Sequence, residues 1–63
     1  MVNNNLIDKF DELKVLIESI QKDVVKNSNG NKSAGIRARK GLRCVKKTAA
    51  EIVKLSLEFD KET

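Results

Sequence analysis

The sequence predicts an all-α protein, an antiparallel two-helix hairpin, and three observations carry that expectation. Two long segments repeat their apolar residues at alternating spacings of four and three, the period of one helix face. A single cluster of helix-breaking residues, Asn27-Ser28-Asn29-Gly30, lies between them. No proline interrupts either segment. With one short connection the two helices fold back on each other, and seams this regular serve a lone hairpin and a hairpin dimer forming a four-helix bundle alike.

The first segment places Leu6, Phe10, Leu13, Ile17, Ile20 and Val24 along one seam, which Leu16 and Val25 widen. Asn5 suits the cap because its side-chain oxygen can accept from a free backbone N–H, and Asp8, Asp11 and Glu12 suit the positive end of the helix dipole. The helix is expected from about residue 5 to about residue 26, followed by a turn over about 27–31 where Gly or Asn takes the left-handed conformation. The second segment aligns Ala38, Leu42, Val45, Ala49, Ile52, Ser56 and Phe59. Its cap falls at Asn31 or Ser33, and the helix is expected over about 33–60. Gly35 and Gly41 each cost up to ~1 kcal/mol against Ala inside it, but small residues at packing positions let another backbone approach. The whole of residues 1–63 reads as one helical-hairpin domain.

Charge is distributed unevenly. Between Gly30 and Lys47 the chain carries seven bases, Lys32, Arg37, Arg39, Lys40, Arg43, Lys46 and Lys47, and no acid, whereas residues 1–29 carry four lysines against five acids and residues 48–63 two against four. The formal net charge of +4 therefore understates a local +7. Winding the second helix at about 100° per residue centres its seam near Ala38 and Ala49 and puts Lys40, Arg43 and Lys47 opposite, flanked by Arg39 and Lys46. From Arg37 to Lys47 the stripe spans about 15 Å at 1.5 Å per residue, enough to meet several phosphates on a duplex with one charge per ~1.7 Å. A merely solvated face usually mixes signs, as the first helix does with Asp8, Glu12, Lys14, Glu18 and Lys22. A like-charged run points to a polyanionic partner.

Other functions find little support. The chain has no histidine and a single cysteine, Cys44, so no Cys/His zinc site, disulfide framework or His-based catalysis can be built. It has no glycine-rich phosphate loop following a strand, so no nucleotide cofactor is expected. Asp8, Asp11, Glu12 and Glu18 read as ordinary acids of an exposed helix rather than a carboxylate site. Cys44 sits among Arg43, Lys46 and Lys47, which can lower a thiol pKa, but a small helix residue is the simpler account. The start, MVNNNLIDKF, lacks the pattern of a signal peptide and no stretch approaches the ~18 apolar residues of a membrane span. An intracellular protein is expected, with no enzyme activity, metal, small-molecule substrate or membrane partner. A chain of this length buries little surface by itself, and without staples oligomerisation is the remaining device.

The run Gly30-Asn31-Lys32-Ser33-Ala34-Gly35-Ile36-Arg37-Ala38-Arg39-Lys40, with Leu42, Val45-Lys46-Lys47 and Lys54-Leu55-Ser56-Leu57-Glu58, resembles the chlamydial-type linker-histone-like (histone H1-like) proteins. These are small bacterial nucleoid condensers with relatives in Bacteroidetes and in large DNA viruses. The resemblance covers residues 30–58 in wording and the first helix in pattern. It implies a helical hairpin that binds double-stranded DNA with little sequence preference and compacts it, in a bacterial nucleoid or on a viral genome in the virion or infected cell. It also implies DNA contact by Lys32, Arg37, Arg39, Lys40, Arg43, Lys46 and Lys47. No aromatic residue lies within the basic block to stack on splayed bases, and no recognition surface of Asn and Gln precedes it, so backbone binding is expected over sequence reading. The rival expectation is a small helical protein-protein interaction module without nucleic-acid binding.

Overall fold

The computed structural model describes residues 3–62. Met1, Val2 and Thr63, the ends of the expected 1–63 domain, lie outside the described residues. Two helices, α1 (Asn4–Ser28) and α2 (Lys32–Glu62), pack side by side. Lys9 meets Glu51 and Asp23 meets Arg37, so residue numbers fall along one helix as they rise along the other, and the pair is antiparallel. The molecule is a rod of 49 × 14 × 11 Å with a radius of gyration of 14.8 Å, against about 11 Å for a compact domain of this length.

The cap of α1 is Asn3 rather than Asn5. Its side-chain oxygen accepts from the Leu6 amide at 3.1 Å, and the Ile7 amide donates to its carbonyl. Starting the helix earlier places Leu6 inside the first full turn, so its backbone is capped and its side chain packed at once. As a result Asp8, Asp11 and Glu12 lie beyond the first turn, which holds no acid, and they gain little from a dipole whose influence fades within that turn.

At the other end Asn27 and Ser28 belong to the helix, and the link is only Asn29–Asn31. The Ser28 hydroxyl donates to the Val25 carbonyl at 2.6 Å. The Gly30 amide donates to the Asn27 carbonyl and the Asn31 amide to the Lys26 carbonyl, both at 3.0 Å. These paired bonds close a Schellman motif and satisfy carbonyls that a helix end leaves free. Gly30 sits at φ 97°, the left-handed conformation that a Cβ disfavours. Asn31 then caps α2: its side-chain oxygen accepts from the Ala34 amide at 2.9 Å and its carbonyl from the Gly35 amide at 3.2 Å. Of the two expected caps, Asn31 is the one used.

Both seams are rolled relative to the expected ones. On α1 the residues turned toward α2 are Leu6, Lys9, Leu13, Leu16, Ile20 and Asp23, while Phe10, Ile17, Val24 and Val25 are exposed. On α2 they are Ala34, Gly35, Ala38, Gly41, Val45, Thr48, Ile52, Leu55 and Phe59, while Leu42 is exposed and Ala49 and Ser56 lie at the edge. The small residues set this roll. Ala34, Gly35, Ala38 and Gly41 form a shallow channel near the turn, and Ile20 enters it so closely that a Cβ on Gly41 would strike its Cγ2 methyl. Closest approach along a small-residue line recovers dispersion contacts that larger side chains would hold apart. The resulting core is thin. Among the described residues the buried apolar ones are Ile20, Ala34 and Ala38, and no large side chain is fully buried.

Candidate nucleic-acid interface

The roll leaves the rod with three differently built sides. One rim of the helix-helix contact is charged: the Lys9 ammonium lies 3.2 Å from Glu51 and 3.6 Å from Glu12, and Arg37 Nε donates to Asp23 Oδ1 at 3.2 Å. The Glu51 carboxylate first, and then Glu12, hold the Lys9 pKa above its usual value. The opposite rim carries the exposed apolar residues Phe10, Ile17 and Val24 from α1 and Leu42 and Val53 from α2. The third side is the outer edge of α2.

That outer edge carries the basic residues. Taking about 100° per residue, Lys32, Arg39, Lys40, Arg43, Lys46 and Lys47 fall within roughly a third of the helix circumference, facing away from the α1 contact. All are exposed, and among the described residues none of the six shares an ion pair with an acid. Each cation is therefore free to meet an external anion.

Arg37 stands apart from the other six candidates. It lies on the charged rim, its guanidinium committed to Asp23, because it is one residue from buried Ala38 and on the side that faces α1. Lys54 is the converse case. It follows Lys47 by seven residues, two helical turns, and so continues the same edge. Sequence reading missed it because Glu51 ends the acid-free block; the seven-residue step from Lys47 is the signal that finds it. The line from Lys32 to Lys54 measures about 33 Å at 1.5 Å per residue.

Among the described residues no group of three or more His, Cys, Asp or Glu could hold a metal, and no helix is long and apolar enough to cross a membrane. Cys44 is exposed and free. Two open surface grooves are lined by Glu18, Gln21, Lys22, Val25 and Lys26 on α1, and by Lys9, Glu51, Lys54, Leu55 and Glu58.

A helical hairpin is the architecture the sequence words implied, and two packed helices are what the structure has. Residues 7–62 match the family model of histone H1-like protein Hc1. The chain belongs to that histone H1-like family. The match takes in nearly all of both helices, so the family extends to α1, which the sequence words alone reached by pattern only. No curated protein and no solved structure matches this histone H1-like chain.

Proposed function

We propose that this histone H1-like chain binds double-stranded DNA through its phosphate backbone, without reading sequence, and takes part in compacting it. The observation that carries the reading is the outer edge of α2, where six exposed bases stand without an acid partner on a member of a histone-like family. Guanidinium and ammonium groups in such a line displace condensed counterions from the duplex, and that release drives association. With about five phosphates neutralised, log K falls with log salt at a slope of roughly −4 to −5.

The contact set is Lys32, Arg39, Lys40, Arg43, Lys46 and Lys47, extended by Lys54, with Arg37 a secondary contributor because Asp23 already holds it. The absence of aromatic residues on this edge supports duplex over splayed single strands. Nothing on the edge offers the Asn and Gln side chains that read base edges. The expected setting is nucleoid or chromatin DNA, bacterial or viral, and the role is architectural rather than enzymatic. Compaction needs each binding unit to hold more than one stretch of DNA, which self-association supplies.

The test is a titration of unrelated duplexes across a salt series, with Arg39, Lys40, Arg43 and Lys47 all changed to Glu in a parallel variant. Equal affinity for all duplexes, a steep negative salt slope and a variant that keeps its helicity but not its binding are expected. Unchanged binding by the variant refutes the edge as the site. No binding at low salt leaves a protein-interaction module as the better account.

A further inference from the structure

The basic edge of α2 is not one line of charge but two. Lys32, Arg39 and Lys46 follow one another at seven-residue steps, and Lys40, Lys47 and Lys54 repeat the same step. Seven residues are close to two turns, so each set forms a row nearly parallel to the helix axis, about 21 Å long at 1.5 Å per residue. Where the rows run side by side, Arg39 beside Lys40 and Lys46 beside Lys47, they stand about 100° apart around the helix. All six side chains are exposed, and among the described residues none of them shares an ion pair with an acid.

Between the rows runs a line of different chemistry, Ile36, Arg43 and Ala50, again seven residues apart. Ile36 is 63% exposed. It packs neither against α1 nor on the rim that carries Phe10 and Ile17, because at about 100° per residue it falls among the bases. The middle line lies about 180° around the helix from the residues turned toward α1, namely Ala34, Ala38, Gly41, Val45 and Thr48. The roll of the two helices therefore presents both rows, and the line between them, directly away from α1.

We infer that α2 lies in the major groove of the duplex, its two basic rows on the phosphates of the two strands and Ile36, Arg43 and Ala50 toward the groove floor. This rests on the DNA-binding reading above and adds the groove to it. A helix with its side chains is about 10–12 Å across, which the ~12 Å major groove admits and the ~6 Å minor groove does not. At that radius rows 100° apart are separated by about 8–9 Å, and flexible lysine and arginine stems opening outward reach the backbone on either bank. Laid along a single phosphate ridge instead, α2 would press Ile36 and Ala50 against the charged strand and turn both rows off to its sides. On the groove floor the same two side chains meet base edges, thymine methyls included, and need no hydrogen bond. No Asn or Gln stands on the middle line, so the groove is occupied with little reading of sequence. Helix α1, behind α2, stays clear of both strands. Glu58, one turn beyond Lys54, ends the contact by repelling phosphate.

The test compares binding of the full-length chain to one duplex and to the same duplex with its cytosines replaced by glucosylated 5-hydroxymethylcytosine. The uncharged sugar fills the major groove and leaves the phosphates intact. Affinity at low salt should fall about tenfold or more on the glucosylated duplex. In the saturated complex with unmodified duplex, dimethyl sulfate should methylate guanine N7, in the major groove, more slowly than in free duplex, and adenine N3, in the minor groove, at the same rate. Two variants, one with Lys32, Arg39 and Lys46 all changed to Gln and one with Lys40, Lys47 and Lys54 all changed to Gln, should keep their helicity and each flatten the salt slope by nearly three. Equal affinity for the two duplexes, or protection of N3 in place of N7, overturns the groove assignment. A slope that changes in only one of the two variants overturns the two-row contact. Failure to bind unmodified duplex at low salt refutes the DNA-binding reading itself, which the other outcomes leave standing.

Discussion

Gly41 and Gly35 differ in what a methyl group would meet, and that difference predicts opposite signs for the same substitution. A Cβ on Gly41 strikes the branched Cγ2 of buried Ile20, whereas a Cβ on Gly35 meets the terminal amide of exposed Asn27 and then Arg39. Gly→Ala in a helix interior gains up to ~1 kcal/mol of propensity, and overpacking a tight contact costs about 1–3 kcal/mol. Gly41→Ala should therefore lower the thermal unfolding midpoint, with partial recovery in the Ile20→Leu background, because leucine is unbranched at Cβ. Gly35→Ala should leave the midpoint unchanged or raise it, since the Asn27 amide can swing aside. Lys9 makes a smaller prediction of definite sign. Its pKa is raised above 10.5 by Glu51 and Glu12, so its contribution is present in full below pH 10.5 and is lost as pH rises through the folded value. The midpoint difference between the native chain and Lys9→Met should be flat up to about pH 10 and shrink above it.

At the scale of elements, the turn is the most closely specified part of the chain. Gly30 holds the left-handed conformation and Asn31 closes α1 with its amide while capping α2 with its side chain. Asn31→Ala should cost about 1 kcal/mol by loss of the cap, read by chemical denaturation. Gly30→Ala should cost a similar ~1 kcal/mol from the Cβ penalty at positive φ, with Gly30→Asn milder because Asn tolerates that region. The basic edge is the other property of an element. Arg43→Gln removes an unpaired cation from its centre, whereas Arg37→Gln removes one already engaged by Asp23. Duplex affinity should fall more for Arg43→Gln, and its salt slope should flatten by nearly one.

For the whole molecule, the thin core governs stability. Folding removes about half of the ~10,300 Å² an extended chain of this mass exposes, against about 60% for an ordinary domain of this length. A monomeric rod should therefore be marginal, and helicity should rise with protein concentration if a second copy covers the apolar rim. Dilution followed by far-ultraviolet circular dichroism checks this: a concentration-independent signal would mean the hairpin stands alone.

Much of this was legible in the residues. The three-and-four spacing of apolar residues, the lone Asn-Ser-Asn-Gly cluster and the acid-free block determined two helices, a tight turn between them and a basic face on the second, because helix period, left-handed glycine and charge are local properties. The words from Gly30 to Lys40 carried the family. What the sequence could not decide was the roll of one helix against the other. Each helix bears an apolar arc wider than a single partner helix can cover, so Phe10, Ile17 and Leu42 satisfy the seam pattern as well as Leu16, Ile20 and Gly41 do. Tertiary structure chose the line where small residues permit closest approach and where Lys9 and Asp23 find opposite charges, and that choice sent Arg37 to an ion pair and turned Phe10, Ile17 and Leu42 outward.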